Sequence, residues 1–308
     1  MTDASLNRQV MAEGSASFRA ATRLFSRNLR EDVWALYAWC RYCDDQIDGQ
    51  TLGHGFVALT PEMKQRRLVQ LRQQTADAMA GRPVTSAPFA ALQSVASRHT
   101  LSSDGPDTLL DGFEMDVQPR IYQTMDDLLL YCYRVAGVVG VMMSEIMDRR
   151  NPDTLRRAQD LGIGFQLTNI VRDILEDAKG GRVYLPVDVL EIHGIEATPQ
   201  GVLDASPEDL FLAANCLLVL AEEYYASARI GLRALPLRAS LATAAARGVY
   251  REIGRRIQRQ GPDALYSRMI TPRPTKLRLA ARGALLSLLS RFERIVPEPS
   301  RPDLWSKI

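Results

Sequence analysis

Apolar residues recur at helical spacing along almost the whole chain, and this pattern limits the fold more than any other feature. Alanine, leucine, methionine, arginine and glutamine, most of which favour helices, are abundant. No stretch alternates apolar and polar residues between hairpin turns, as a half-buried strand would. The pattern predicts an all-α protein, with helices at 6–25, 31–47, 61–80, 88–99, 106–115, 125–148, 152–177, 207–232, 238–260 and 275–294.

Glycine and proline separate these predicted helices, and the longest break runs from 179 to 206. None of the breaks has the composition of an interdomain linker, and no repeat of fixed period occurs. We therefore expect a single all-helical domain over residues 1–308.

Composition and charge exclude several classes of protein. The chain of 308 residues is 46% hydrophobic and 24% charged, which is typical of a globular protein and not of a disordered or collagen-like one. Its 38 Lys and Arg nearly balance its 36 Asp and Glu, so no overall basic excess indicates a nucleic-acid binder. Basic residues concentrate between Arg251 and Arg294, and the remainder of the chain is net acidic.

The four cysteines match no metal or disulfide pattern. Cys40 and Cys43 form a CxxC pair, but a zinc site would need a second pair, and the three histidines are scattered. This cysteine usage, with no signal-like N-terminal segment, predicts a reducing cytoplasm. The longest apolar runs, 136–143 and 210–221, are shorter than a bilayer span requires, so we expect no transmembrane helix.

A polar stripe lies on one of the most apolar predicted helices, in the run VWALYAWCRYCDDQI. One helix face, at the spacing i, i+4, i+7 and i+11, carries Tyr37, Arg41, Asp44 and Asp48. Asp45 flanks this face. The surrounding sequence is too apolar for an ordinary solvated surface helix.

A second stripe repeats the arrangement in the run GFQLTNIVRDILED. Its face carries Gln166, Asn169, Asp173 and Asp177. Oxygen ligands without His or thiolate suit Mg²⁺ or Mn²⁺, which bind through one or two carboxylates together with substrate phosphates. If two such helices converge without cations, their carboxylates repel one another and take up protons. The two stripes together therefore predict a metal-dependent site.

Each stripe alone has an ordinary alternative explanation. An apolar run followed by Asp and Glu is typical of the solvated end of a helix that neighbouring arginines cap. The repetition favours a site, because each stripe also has an Asn or Gln and an Arg on the same side. Tyr37 considered alone is more typical of a core aromatic residue.

The two segments closely resemble the signature segments of the squalene/phytoene synthase family, the head-to-head prenyl transferases. YAWCRYCDDQIDGQTLG is most similar to the bacterial phytoene synthases, and GFQLTNIVRDILEDAKGGRVYLP to the second signature. Further similarity lies at 14–18, in YCYRVAGVVG from Tyr131, and from Tyr250 to Arg268, so that the resemblance covers 12–278. It implies a single-domain helical bundle of the isoprenoid synthase type with a central apolar cavity.

The resemblance also implies roles for individual residues. The implied ligands of Mg²⁺, with Mn²⁺ as an alternative, are Asp44, Asp48, Asn169, Asp173 and Asp177. The implied substrate contacts are Ser15, Ser17, Tyr37, Arg41, Tyr131, Gln166, Arg172, Tyr250 and Arg268. The four aspartates and Tyr131 form the implied catalytic set, and Tyr184 is a further pocket candidate.

The implied reaction joins two geranylgeranyl diphosphates into phytoene, a carotenoid precursor, through a cyclopropylcarbinyl diphosphate (prephytoene diphosphate). The sequence has no dinucleotide fingerprint and no nucleophile elbow, so no nicotinamide cofactor is expected. Two alternatives stay open: a squalene or dehydrosqualene-type synthase that uses farnesyl diphosphate, and a non-catalytic assembly factor. Six apolar residues could equally well set the length of the prenyl chain or belong to the hydrophobic core: Val135, Val138, Val139, Met142, Met143 and Phe165.

The segment from Lys276 to Ile295 has the pattern of a basic amphipathic helix. It is equally typical of a terminal helix that packs on the bundle. Because the implied hydrocarbon is nearly insoluble in water, we expect a cytoplasmic protein bound peripherally to anionic membranes, in contact with upstream or downstream carotenoid enzymes. No nucleic-acid partner is expected, because the arginines are not interleaved with exposed aromatics.

Overall fold

The structure is a computed structural model that describes residues 21–50, 57–266, 272–292 and 300–308. Within these ranges the chain is helical and contains no strand, which confirms the all-α prediction. The α-helices are α1 (Arg27–Asp48), α2 (Pro61–Met79), α3 (Ala87–His99), α4 (Asp104–Glu114), α5 (Met125–Cys132), α6 (Val138–Ile146), α7 (Pro152–Lys179), α8 (Val187–Ile192), α9 (Pro199–Asp204), α10 (Pro207–Gly231), α11 (Leu237–Gln260) and α12 (Arg273–Phe292).

Local sequence signals explain where these helices begin. Proline occupies the first turn of α7, α9 and α10, where its missing N–H costs no hydrogen bond. The side chains of Asn151, Thr198 and Ser206 cap the same three helices by accepting a backbone N–H. At α5, Thr124 and Asp127 form a reciprocal capping box.

The predicted helix 125–148 is interrupted in its middle. A π-helical turn, Tyr133–Gly137, separates α5 from α6. Helical periodicity does not reveal such a turn, because the stretch YCYRVAGVVG is apolar on most sides and hides the change of register that an inserted residue causes. The turn places Val135 and Ala136 on the wall of the cavity described below.

One further expectation differs from the structure, and two are not tested by it. The break at 179–206 contains two short helices, α8 and α9, which are too short to show a clear period. The predicted helix 6–25 falls mostly outside the described residues. The single-domain organisation of 1–308 stays a prediction.

Helix α7 is central and packs against α6, α10 and α11. Glycines allow the closest approach: a methyl group at Gly140 of α6 would lie 2.2 Å from the carbonyl oxygen of Ala158 on α7. A methyl group at Gly162 of α7 would likewise lie 2.2 Å from the carbonyl oxygen of Ala136. At this crossing the two segments meet backbone to backbone.

Two stretches, Met125–Ile146 and Pro207–Ala234, are long and apolar enough for a membrane span, with mean hydropathies of 1.4 and 1.2. The apolar stretches are therefore longer than the runs read from the sequence. About half of each is buried inside the bundle, 56% and 50% respectively, as in the core helices of a folded domain. Packing against neighbouring helices accounts for their apolar character.

Candidate active site

The first polar stripe lies on α1, at the end that faces a large cavity. Arg41 Nη1 lies 2.7 Å from Asp44 Oδ2, and Arg41 Nη2 lies 2.9 Å from Asp45 Oδ1. Tyr37, Arg41 and Asp44 all line the cavity. Asp45 is buried, and its contact with Arg41 keeps the guanidinium beside the stripe.

The second stripe lies on α7 and contributes to the same cavity. Gln166, Asn169 and Arg172 line it. The Arg172 guanidinium binds both carboxylate oxygens of Asp173, with Nε donating to Oδ1 over 2.9 Å. The structure therefore brings parts of both stripes to one cavity, with Asp44 and Asn169 on its wall, whereas Asp48, Asp173 and Asp177 are absent from the wall.

The cavity has a volume of about 580 Å³, and most of the residues that line it beyond the stripes are apolar. Four of the six chain-length candidates line it: Val135, Val139, Met143 and Phe165. The other two, Val138 and Met142, are buried in the hydrophobic core and are absent from the cavity wall. The structure thus separates wall residues from core residues that the sequence pattern could not distinguish.

A contact between the ends of α1 and α7 was missed by the sequence analysis. Arg182, in the turn that follows α7, donates from Nη1 to Asp48 Oδ1 over 2.9 Å. The carboxylates of Asp116 and Asp177 also lie close enough to raise the pKa of Arg182. This arginine therefore joins the acidic ends of both stripes.

A second missed residue is Asp116, which lines the cavity next to two tyrosines. Its carboxylate accepts hydrogen bonds from Tyr131 Oη at 2.9 Å and from Tyr184 Oη at 3.0 Å. The two hydroxyls lie 3.2 Å apart, and the two rings stack with centroids 4.9 Å apart. Asp116 therefore fixes the orientation of Tyr131, the tyrosine predicted to be catalytic.

Burial makes several carboxyl groups near the stripes poor acids. It raises the pKa of Asp44 to about 7, and the negative charge of Asp48 adds to the effect while Arg41 opposes it. Burial likewise raises the pKa of Asp177 to about 7 and that of Asp116 to about 6, with Arg182 opposing both shifts. Asp48 is a further cause for all three, so the carboxylates of the two stripes share one electrostatic environment.

Comparison with known proteins agrees with this geometry. The family model for squalene/phytoene synthase matches residues 11–279. The chain belongs to the squalene/phytoene synthase family. Two relatives named 15-cis-phytoene synthase, from Pantoea ananas and from a Paracoccus species, are each 44% identical, and each match covers 97% of this chain and 96% of the relative.

Solved structures of the family confirm the isoprenoid synthase type of fold. A dehydrosqualene synthase solved with a ligand matches with a TM-score of 0.80 and 26% identity, over 91% of this chain and 95% of that chain. A squalene synthase complex matches with a TM-score of 0.75 at 20% identity, over 94% and 89% of the two chains, which supports the fold alone.

The donor atoms fit the hard cation expected for this family. Within the described residues, Asn169 Oδ1 is buried and has no hydrogen-bond partner. An acceptor left without a donor is costly unless a ligand supplies positive charge. No group of three or more His, Cys, Asp and Glu side chains in the described part of the chain could hold a metal ion by itself. Diphosphate oxygens would therefore have to complete the coordination, as is usual for Mg²⁺.

The remaining predicted contacts divide into two sets. Tyr250 lines the cavity and stacks on Phe165, with ring centroids 4.2 Å apart. Burial raises the pKa of Tyr37, which keeps this phenol neutral. Ser15, Ser17 and Arg268 lie outside the described residues, so their roles stay predictions.

Proposed function

We propose that this protein is a prenyl transferase that joins two geranylgeranyl diphosphates head to head into phytoene, in carotenoid biosynthesis. The observation that carries the proposal is that the two stripes converge on one mostly apolar cavity, with Asp44 of α1 and Asn169 of α7 on its wall. The two relatives named 15-cis-phytoene synthase, which match over nearly their whole length, support the choice of phytoene.

Asp44, Asp48, Asn169, Asp173 and Asp177 would hold Mg²⁺, or Mn²⁺ in its place. Bound there, the cation would neutralise charge on a departing diphosphate. Arg172, whose guanidinium binds Asp173, and the Nη1 atom of Arg41, which binds Asp44, would then be available for contact with diphosphate oxygens. Asp45 would keep Arg41 beside the stripe.

The remaining steps pass through allylic cations, which the apolar wall of the cavity would surround. Loss of diphosphate from the first substrate leaves a cation, which the C2–C3 double bond of the second substrate attacks. Proton loss closes a cyclopropylcarbinyl diphosphate, and a second ionisation, rearrangement and proton loss give phytoene. Because the cavity excludes water, the cations are not captured by solvent. The electrons balance without hydride, so no nicotinamide cofactor is required.

The decisive experiment incubates the purified chain with geranylgeranyl or farnesyl diphosphate and Mg²⁺, with and without a nicotinamide cofactor. The proposal expects phytoene from geranylgeranyl diphosphate, no requirement for the nicotinamide, and loss of product when the metal is chelated. A product formed only from farnesyl diphosphate, or only with reductant, would contradict it.

A dehydrosqualene-type reaction on farnesyl diphosphate is the second candidate, because a structure of that activity has the same fold at 26% identity. A non-catalytic assembly factor is the third. Thermal stabilisation by inorganic diphosphate that depends on Mg²⁺ argues against that third candidate, since an assembly factor needs no diphosphate site.

We further propose a cytoplasmic protein that binds anionic membranes peripherally through α12, where the product is released and neighbouring carotenoid enzymes would receive it. Leu285, Leu288 and Leu289 are exposed on this helix, and Arg278 and Arg282 are exposed one to three turns earlier. Exposed leucines beside arginines are typical of interfacial helices.

Liposome sedimentation tests the membrane proposal. We expect binding to anionic vesicles that weakens with salt and when Arg278, Arg282 and Arg291 are neutralised. Equal binding to neutral vesicles, or binding that these substitutions leave unchanged, would assign α12 to packing alone.

A further inference from the structure

The cavity extends along one face of α7, far beyond the acidic stripes. Asn169 lines it at the polar end, Arg157 lines it twelve residues earlier in the same helix, and Thr154 lines it one turn further on. At 1.5 Å per residue, Asn169 and Arg157 are about 18 Å apart along the helix axis. Arg157 is only 3% exposed, so a charged side chain lies buried in a part of the wall that is mostly apolar.

The aliphatic part of the Arg157 side chain (its stem) and its guanidinium have different surroundings. The stem lies against Gly231 at the end of α10, and a methyl group added to Gly231 would lie 2.9 Å from Arg157 Cβ. The guanidinium donates from Nη1 to the carbonyl oxygen of Ser227 at 3.3 Å and to its hydroxyl at 3.4 Å. Gly231 also lines the cavity, so the stem of Arg157 and Gly231 together form the wall of this part of it.

Ser227 belongs to a chain of contacts that reaches the C-terminal segment 300–308. Its hydroxyl donates to Asp160 Oδ2 over 2.5 Å, and Asp160 is fully buried. Arg301 binds the same carboxylate with two hydrogen bonds, from Nε at 2.9 Å and from Nη2 at 2.8 Å. Arg301 also donates to the carbonyl oxygens of Leu304 and Trp305, which ties the segment to α7.

We propose that Arg157 is the part of the wall near the far end of the cavity that limits the length of the prenyl chain, and that Arg301 is a positioning residue that acts through Asp160 and Ser227. A longer tail would have to displace Arg157, and a buried guanidinium separated from its acceptors is costly. The inference rests on the proposed function, because it assumes that prenyl tails occupy the cavity.

Two substitutions should move chain-length preference in opposite directions. Arg157→Ala removes side-chain atoms from the far end of the wall, so kcat/KM for the twenty-five-carbon allylic diphosphate relative to the twenty-carbon one should rise roughly tenfold or more. Gly231→Ala adds a methyl group 2.9 Å from Arg157 Cβ, so one of the two must shift, and the narrower far end should cost the twenty-carbon substrate roughly tenfold relative to the fifteen-carbon one. The backbone at Gly231 has φ of −60°, which alanine adopts readily, so only that contact has to relax, and this variant tests the proposal even if Arg157→Ala does not fold.

A smaller shift should follow from the positioning contact. Arg301→Met leaves Asp160 with Ser227 alone, and we expect roughly a threefold rise in the relative use of the longer substrate, in the direction of Arg157→Ala. Loss of packing alone would lower the use of both substrates together.

Arg247→Ala is the matched control. Arg247 is also a buried arginine with a neutral acceptor, donating from Nε to the carbonyl oxygen of Tyr225 at 2.7 Å, but it is absent from the cavity wall. Its substitution should lower stability without changing the chain-length ratio.

Three results would overturn the inference: an unchanged ratio in Arg157→Ala and Gly231→Ala, a shift of both in the same direction, or an equal shift in the control. If the wild-type chain forms no hydrocarbon from any substrate, the proposed function fails, and the inference fails with it. An active wild-type chain with unmoved ratios removes the inference alone.

Discussion

The two ends of the cavity hold arginines in different ways. At the polar end, Arg41, Arg172 and Arg182 each bind a carboxylate of a stripe. At the far end, Arg157 donates to the backbone carbonyl and the hydroxyl of Ser227, and Arg301 binds the nearby buried carboxylate of Asp160. An arginine paired with a potential metal ligand can exchange that partner for diphosphate. The polar end therefore supplies reactive groups, and the far end supplies shape.

The largest effect should come from removing a carboxylate at the polar end. Asp173→Ala takes away a predicted metal ligand, and we expect turnover to fall by more than about a hundredfold, since even indirect partners of a metal are worth 10 to 100-fold. Helicity by circular dichroism should stay unchanged. The rate is measured as diphosphate release with geranylgeranyl diphosphate and Mg²⁺.

Asp126→Ala is the control for that loss, because Asp126 is an exposed aspartate away from the cavity. It should retain near-normal turnover. If Asp173→Ala stays active, the polar end is not the reactive end, and the contrast between the two ends disappears.

The next largest effect should come from Asp116→Asn. An amide keeps the shape but loses the charge that accepts from Tyr131 and Tyr184, and a hydrogen bond to a charged group contributes about 1.5–3 kcal/mol. We therefore expect kcat to fall roughly tenfold to a hundredfold while KM changes little. Tyr184→Phe should show a smaller fall in the same parameter. A rise in KM alone would mean that Asp116 serves binding and does not orient Tyr131.

The third prediction concerns pH and stability at the polar end. Burial raises the pKa of Asp44 from 3.8 to about 7, so the folded protein binds this proton more tightly than the unfolded chain. Without metal, the stabilisation is present below the unfolded pKa and is lost as pH rises through about 7. The melting temperature in chelator should therefore fall from pH 6 to pH 8, and less so in Asp44→Asn.

Binding of Mg²⁺ should have the opposite dependence on pH, because a cation binds the deprotonated carboxylate. Mg²⁺ with inorganic diphosphate should therefore raise the melting temperature more at pH 8 than at pH 6. An equal rise at both values would show that these carboxylates do not bind the cation.

The smallest effect is expected at the far end, from Ser227→Ala. Asp160 keeps both hydrogen bonds from Arg301, and Arg157 keeps the backbone carbonyl of residue 227. We expect a loss of about 1 kcal/mol in stability and no change in kcat with geranylgeranyl diphosphate. A large fall in kcat would show that the far end takes part in the reaction.

The sequence predicted the polar end better than the far end for a physical reason. The stripes repeat along two long helices, so their spacing alone places each set on one face. Asp116 and Arg182 lie in turns after α4 and α7, where no periodicity applies. An isolated acid beside apolar residues, as in FEMDV, is the only local signal that Asp116 offers.

Residues at the far end depend on contacts between distant parts of the chain. Arg301 and Asp160 are 141 positions apart, and Arg157 and Ser227 are 70 apart. No spacing rule connects such pairs. The helix types and most of their bounds were predictable because apolar periodicity acts within a few turns, whereas the π turn at Tyr133–Gly137 lies in a stretch too uniformly apolar to show its change of register.

The close crossing at Gly140 and Gly162 has a consequence for how such a protein can diversify. Both glycines line the cavity at its middle, and each has a carbonyl oxygen where a side chain would begin. The distance between the two segments is set there by main chain, so neither glycine can be replaced by a larger residue unless a helix moves. New substrate preferences are therefore expected to arise through the side chains on either side of the crossing, while the crossing itself stays unchanged.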